Sequence, residues 1–245
     1  MATGEYPAAR QIGGFNPDTH YWRGNKGRAA VVLHICEGPY EGSIRYLRGR
    51  GLSAHFVISE GGEVSQLVNV NDSAWANGLS FQGGQWISPE GHVSHPTWTR
   101  ITPPINPNWQ TISIEHAGYT AKPRPRVQLQ STINLLRWLG AQFPSLYPFV
   151  PQTSLIGHCH ISTVDRARCP GPFFDFDAIA AAATTRAGRY RVRGLRVYQA
   201  PDRTSDLAGE LPSGAQVGID ATYSNGMGHL DTGFGFVDLE GLEAL

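Results

Sequence analysis

The sequence predicts an α/β protein with a central mixed β-sheet flanked by helices, followed by a small all-β barrel. Three observations favour this class. Up to about residue 186, apolar runs rich in β-branched residues alternate with amphipathic segments. From residue 187 onward, short apolar runs are separated by Gly, Pro, Asp and Ser, which is typical of a small barrel. At 245 residues, the chain is long enough for a medium domain and a small one.

The elements of the first predicted domain, residues 1–186, follow from periodicity and from Gly and Pro boundaries. The run at 29–35 is apolar apart from one histidine, which predicts a buried central strand. The other predicted strands are 55–59, 63–68, 111–116 and 154–157, and the predicted helices are 40–50, 128–143 and 176–186. Residues 78–108 form a long segment rich in Gly, Pro, Trp and His, and so long a connection usually has a functional or fold-specific role. The second predicted domain, 187–245, carries about five short strands.

Composition excludes several functional classes. The formal net charge is zero and no Lys/Arg run occurs, which disfavours nucleic acid binding. No stretch approaches the roughly eighteen apolar residues of a membrane span, and Met1 to Arg10 has no apolar core of an export signal. We therefore expect cytoplasmic synthesis without a signal peptide, no membrane partner and a monomeric chain. Three cysteines without regular spacing argue against a disulfide framework and leave a thiol free for a metal.

Three widely separated residues could hold a metal ion. His34 lies inside the most apolar strand, where an imidazole is costly without a partner, although a core histidine bonded to backbone explains it equally well. His158 follows the 154–157 strand, and Cys169 precedes Pro170-Gly171-Pro172. Two imidazoles and a thiolate leave the fourth position of tetrahedral zinc open, as in catalytic sites. Glu115 could carry a proton from water to a leaving amine, or it could form a buried salt bridge. The residues alone indicate a possible zinc hydrolase.

Several short motifs recur together in one known family. They are Val31-Val32-Leu33-His34, Ser53-Ala54-His55-Phe56-Val57-Ile58, Ala74-Trp75-Ala76-Asn77-Gly78, Thr111-Ile112-Ser113-Ile114-Glu115-His116-Ala117-Gly118, Ile156-Gly157-His158 and Cys169-Pro170-Gly171-Pro172. In this order they resemble the type 2 N-acetylmuramoyl-L-alanine amidases, which include phage endolysins and the animal peptidoglycan recognition proteins. The resemblance covers roughly residues 28–182.

The resemblance implies a zinc site made by His34, His158 and Cys169, with Glu115 as the catalytic carboxylate. It implies hydrolysis of the amide between the lactyl group of N-acetylmuramic acid and the L-alanine of the stem peptide, so that peptidoglycan is the partner. The predicted substrate-binding residues are Trp75, Asn77 and His55, the last as a groove or supporting group.

The sequence departs from the family at three positions. Ala76-Asn77 replaces a groove histidine, and Ala54 stands where some members have a catalytic Tyr, which places more weight on Glu115. Many members place an oxyanion-stabilising Lys two residues before the third ligand, where this chain has Ala167 between Arg166 and Arg168. Either arginine could replace the lysine, and Arg168 is the preferred candidate.

The tail resembles a bacterial Src-homology-3-like domain, a class that holds lysins on cell walls. Tyr198, Tyr223 and Phe234 are its predicted wall-binding residues, although aromatic residues also fill the cores of small barrels. The function predicted from the whole sequence is a bacteriolytic endolysin. Two alternatives stay open: a non-catalytic peptidoglycan-binding protein, and a host autolysin or muropeptide-recycling amidase.

Overall fold

A computed structural model of the chain describes residues 4–184, 189–192, 195–199, 201, 203–213, 215–222, 227–230, 235–238 and 242–244. Contacts divide the chain into two units, Met1–Thr184 and Thr185–Leu245. The predicted boundary between residues 186 and 187 falls on 185–188, outside the described residues.

The first unit alternates strands and helices, as the apolar pattern indicates. In chain order the elements are β1 (Arg10–Gln11), β2 (Tyr21–Trp22), β3 (Ala30–Ile35), α1 (Tyr40–Gly49), β4 (Phe56–Ile58), β5 (Val64–Gln66), β6 (Ser73–Ala74), β7 (Ser80–Gln82), β8 (Gln85–Ile87), β9 (Val93–Ser94), β10 (Thr111–His116), α2 (Arg126–Gln142), β11 (Leu155–Gly157) and α3 (Phe176–Thr184). Short 3₁₀ turns occupy Pro107–Trp109, Pro144–Leu146 and His158–His160. Each predicted strand and helix of this unit is present, with ends that differ by one or two residues.

The central sheet of the described residues has six strands in the order β1-β5-β4-β10-β3-β11. Strands β4, β10, β3 and β11 are parallel to one another, whereas β5 runs antiparallel to β4. The predicted mixed sheet is therefore confirmed. Because β3 and β10 pair in register, with Glu115 opposite His34, their chemically active side chains meet at one point.

The alternation of side chains along β3 separates the core from the site. Val31 and Leu33 face the cluster formed with α2 and α3, whereas Val32 belongs to a cluster on the opposite face. Period two then places His34 on the face of Val32, away from α2. Helix α2 buries Leu135, Leu136 and Leu139 completely, and each such side chain contributes about 1.5–3 kcal/mol.

Helix α1 covers the other face of the sheet. Its Ile44 belongs to a buried cluster with Val57 of β4 and Leu67. Helices thus flank the sheet on both faces, as predicted.

The long segment at 78–108 contains a small antiparallel sheet. Strands β7, β8 and β9 pair in that order, and we refer to residues 80–94 as the hairpin insert. The turn between β7 and β8 consists of Gly83 and Gly84, and both have positive φ. Glycine adopts this backbone conformation easily because it has no Cβ.

The described residues of the second unit form antiparallel strands β12 (Arg189–Val192), β13 (Leu195–Tyr198), β14 (Leu207–Leu211), β15 (Gln216–Thr222), β16 (Met227–Leu230), β17 (Phe236–Asp238) and β18 (Leu242–Ala244). They pair in the order β14-β13-β17-β16-β15-β12-β18, so the described strands number seven rather than the predicted five. Val197, Ile219, Leu230 and Val237 form a small core.

In the described part of the chain, every helix is too short or too polar to span a bilayer.

Candidate metal centre and substrate groove

His34, His158 and Cys169 converge at one edge of the central sheet. Their potential ligand atoms, imidazole nitrogens and a thiol sulfur, all lie within 4.8 Å of one another. The two imidazoles are buried, and their ring centroids are 4.5 Å apart. The structure therefore brings together the three residues that the sequence predicts as metal ligands.

The topology explains this convergence. Strands β3 and β11 are parallel neighbours, so the carboxyl ends that carry His34 and His158 lie at the same sheet edge. Cys169 is held against this edge because its carbonyl accepts a hydrogen bond from the Cys159 N–H at 2.9 Å. Gly157 permits the approach, since a Cβ there would lie 2.7 Å from Cδ of Pro170.

Burial keeps both imidazoles neutral. It lowers the pKa of His158 to about 3 and that of His34 well below its usual value. A neutral imidazole offers a lone pair to a metal, and Nε2 of His34 is a buried atom with no hydrogen-bond partner. Burial raises the pKa of the Cys169 thiol, so this sulfur ionises when a cation is present to stabilise the thiolate. This donor set fits zinc with one position open for substrate or water.

Glu115 lies beside the three ligands. Its Oε1 is 3.8 Å from Nδ1 of His34, and its Oε2 is buried without a hydrogen-bond partner. Burial raises the pKa of Glu115 to about 7, whereas a hydrogen bond from the Cys36 thiol and the charge of Arg166 act in the opposite direction. A carboxyl that titrates near neutrality can both accept and release a proton.

Cys36, two residues after His34, also belongs to the site. Its thiol bonds to Glu115, and the residue lines the same cavity as His34. The spacing of His34 and Cys36 predicts this placement, because residues two apart on a strand face the same side.

Hydrogen bonds from the core hold the proposed ligands in place. Nδ1 of His116 lies 2.9 Å from the His34 carbonyl, and its Nε2 lies 2.8 Å from the Thr132 hydroxyl. The ring of His158 bonds to the backbone carbonyl of Asn77. Such contacts fix the orientation of ligand side chains.

His55 does not line the cavity, so its position fits the supporting alternative rather than direct substrate contact. The residue is completely buried, with Nε2 3.0 Å from the Asp72 carbonyl and Nδ1 accepting the Ser113 N–H at 3.0 Å. Both ring nitrogens are therefore satisfied by backbone, and burial lowers the pKa of His55 to about 3. Its role is to join β4, β10 and the 70–72 turn.

Asn77 lies at the groove, but its side chain is only 1% exposed and donates to the Thr111 hydroxyl at 2.7 Å. The amide group is thus held in the core by Thr111, while the backbone carbonyl of the same residue bonds to His158.

A cavity of about 1060 Å³ opens at the metal ligands. Trp75 lines it and is half-buried, as expected for a substrate-groove residue. The ring of Trp22 packs edge-on against Trp75, with ring centroids 5.2 Å apart, and stacks on Trp109 with centroids 4.9 Å apart. These contacts hold the Trp75 indole in position. The opposite wall is the loop at 162–169.

That loop is tied to the hairpin insert, which sequence reasoning did not foresee. The contacts are Ser94 Oγ to the Ile161 carbonyl at 3.0 Å, His92 Nδ1 to Asp165 Oδ1 at 2.7 Å, and Arg166 to Glu90 Oε1 at 2.9 Å. The insert therefore braces the segment that leads to Cys169.

The two arginines of this loop differ. Arg166, held by Glu90, is the cation whose charge lowers the pKa of both His158 and Glu115. Arg168 is exposed and does not contribute to either shift. The charge that acts on Glu115 and His158 is thus that of Arg166, while the role predicted for Arg168 stays a prediction.

Of the predicted wall-binding residues, Tyr198 lies at the end of β13 and is half-buried. Tyr223 and Phe234 lie outside the described residues. Their role stays a prediction.

Comparison with known proteins points to one family. A family model described as N-acetylmuramoyl-L-alanine amidase matches residues 20–172. The 1,6-anhydro-N-acetylmuramyl-L-alanine amidase AmpD of Haemophilus influenzae is 30% identical over 168 residues, covering 68% of this chain and 72% of the relative. The protein of the same name from Salmonella typhimurium is 29% identical over 144 residues, covering 58% of this chain and 62% of the relative.

A solved structure supports the same fold. The crystal structure of a selenomethionine AmpD derivative aligns with a TM-score of 0.51 at 23% identity, covering 73% of this chain and 96% of the other. At this identity the likeness concerns the fold.

Proposed function

Because this chain belongs to the N-acetylmuramoyl-L-alanine amidase family, we propose that it is a zinc-dependent hydrolase of peptidoglycan. The bond it cleaves joins the lactyl carbonyl of N-acetylmuramic acid to the L-alanine of the stem peptide. The observation that carries the zinc dependence is the convergence of His34, His158 and Cys169 within 4.8 Å beside Glu115.

The protein residues divide the work between binding and proton transfer. Bound zinc supplies Lewis acidity, which polarises the scissile carbonyl and lowers the pKa of the attacking water. Glu115 accepts the proton of that water and delivers it to the leaving amine, and a pKa near 7 suits both transfers. Arg166 places positive charge beside the oxygen that becomes anionic, so we assign this electrostatic role to Arg166 rather than to Arg168.

Digestion of purified peptidoglycan tests this function. The proposal expects new free L-alanine amino groups, no new reducing sugar ends, loss of cleavage after chelation and recovery after zinc is restored. Reducing ends, or cleavage unaffected by a chelator, would contradict it. A protein that only binds peptidoglycan would release nothing, and the thiolate-donating Cys169 disfavours that alternative.

We propose further that the substrate is the polymeric wall, with the second unit as a wall-binding, Src-homology-3-like domain, as in endolysins. The many short antiparallel strands of that unit support this proposal. A second candidate is a recycling amidase of soluble 1,6-anhydromuropeptides, which the names of the relatives favour.

Rates on the two substrates separate these candidates. The endolysin proposal expects binding of the whole chain to sedimented sacculi and faster cleavage of sacculi than of soluble 1,6-anhydromuropeptide at equal bond concentration. The reverse preference, without sedimentation, would assign the chain to recycling.

A further inference from the structure

One cation of the groove has no partner. The charged residues that line the cavity are Glu37, Glu90, Glu115, Asp165, Arg166 and Arg168. Glu90 pairs with Arg166 at 2.9 Å, Asp165 with His92 at 2.7 Å, and Glu37 accepts the Thr120 N–H at 3.0 Å. Within the described part of the chain, Arg168 has no hydrogen bond or ion pair.

The position of Arg168 limits what it can contact. It immediately precedes Cys169, so its guanidinium reaches groups several ångströms from the reacting carbonyl. An extended peptide advances about 3.3–3.6 Å per residue. The peptide one to two residues beyond the scissile amide therefore lies within the distance that this side chain can span.

Substrate chemistry supplies an anion at that distance. The second residue of the stem peptide is a D-glutamate linked through its γ-carboxyl, which leaves the α-carboxyl free or amidated. A guanidinium matches a carboxylate with two parallel N–H···O bonds, whereas a carboxamide accepts with one oxygen and carries no charge.

We propose that Arg168 binds the α-carboxylate of this glutamate and selects acidic stem peptides over amidated ones. The inference rests on the proposed amidase function, because it places the stem peptide in this groove. Arg166 is not the selecting group, since its guanidinium is already engaged by Glu90 and its charge acts on Glu115 and His158.

Two matched substrates test the inference. They are N-acetylmuramoyl peptides of L-alanine, γ-linked D-glutamate and L-lysine that differ only in an α-carboxylate or α-carboxamide on the glutamate. The whole zinc-loaded chain should show kcat/KM about tenfold or more higher for the acid, mainly through KM. In Arg168→Gln the ratio should fall toward one, and Arg168→Lys should restore part of it. Arg45→Gln removes an exposed arginine outside the groove and should keep the wild-type ratio.

Two outcomes would overturn the inference. If the acid-to-amide ratio of kcat/KM is unchanged in Arg168→Gln, another group binds the carboxylate. An equal loss of kcat on both substrates would place Arg168 at the reacting carbonyl instead. Selectivity can also be measured without turnover, from the dissociation constants of the two peptides for Glu115→Gln. The preference for the acid should be present in Glu115→Gln and should be lost in the double variant with Arg168→Gln. If wild-type cleavage is absent but selective binding remains, the proposed function fails while the assignment of Arg168 stands.

Discussion

His34 is the residue that most clearly separates a structural from a chemical interpretation. A core histidine would bond to backbone through both nitrogens, as His55 does. His34 instead keeps a buried Nε2 without a partner, next to an imidazole and a thiol. A buried polar atom without a partner costs about 1–3 kcal/mol, and a bound metal ion removes that cost.

Replacement of Cys169 by Ala should remove bound zinc and abolish cleavage together, because two imidazoles alone hold zinc weakly. Metal content by atomic spectroscopy and release of L-alanine amino groups measure the two losses. Cys159→Ala is the matched control, since this thiol does not line the cavity, and it should keep both properties. Full zinc content in Cys169→Ala would contradict the ligand assignment.

The buried His55 should make the fold sensitive to acid. Its pKa is about 3 in the folded chain and near 6.5 when unfolded, so the unfolded chain binds more protons between these values. Its stabilisation is therefore complete above pH 6.5 and is lost as pH falls toward 3, by up to about 1.4 kcal/mol per unit.

Comparison with His55→Gln isolates this contribution. The variant should be less stable at pH 7.5 by about 1–3 kcal/mol, because one backbone group loses its partner, and the difference should shrink at pH 5. Urea unfolding with chelator present measures both free energies. A difference that does not change with pH would contradict the assignment.

At the scale of elements, the strand residues of the site could be predicted from the sequence, whereas the loop residues could not. The run at 111–116 predicted β10 completely, and pairing in register with β3 then placed Glu115 beside His34. Periodicity could not predict the hairpin insert, because strands of two or three residues are too short for a pattern. For the same reason the contacts that hold the 162–169 loop, and the different surroundings of Arg166 and Arg168, could not be predicted from the sequence.

The buried Arg28 also lay outside sequence reasoning. It is 4% exposed and donates to the backbone carbonyls of Val70, Asp72 and Thr111, so it ties the start of β10 to the 70–72 turn. Burial lowers the pKa of this guanidinium to about 9. No local pattern distinguishes such a residue from a surface arginine, because its partners are 42 and 83 positions away.

The junction of β11 with the Cys169 segment leaves no room for an added methyl group at Gly157. Gly157→Ala would place a Cβ 2.7 Å from Pro170 and 3.2 Å from Phe176, which must displace the end of β11 from Cys169. Zinc affinity should fall by about tenfold or more, a loss typical of altered ligand support. Competition with a chromophoric chelator measures the affinity.

A second glycine provides the control for this substitution. In Gly61→Ala the new Cβ meets only Ser59 Oγ at 3.6 Å, an ordinary contact, so zinc affinity should stay at the wild-type value. Equal affinities in both variants would show that the approach at Gly157 does not govern the metal centre.

At the scale of the whole molecule, the candidate metal centre brings together parts of the first unit that are far apart in sequence. His34 comes from the central strand, His158 from the edge strand and Cys169 from the segment that leads into α3. A ligand that binds only this folded arrangement stabilises the entire unit by mass action. The free energy of unfolding should therefore increase with the concentration of free zinc.

Thermal unfolding should therefore depend on zinc. At free zinc about 100-fold above the dissociation constant, the stabilisation is about 2.7 kcal/mol. For a unit of this size, about 1 kcal/mol shifts the melting temperature by roughly 2–4 °C, so a chelator should lower the transition of the first unit by roughly 5–10 °C. Cys169→Ala should melt at one temperature with and without chelator, because its site no longer closes around the ion. Scanning calorimetry of both chains makes the comparison, and an equal chelator-induced shift in Cys169→Ala would place the stabilising ion elsewhere in the protein.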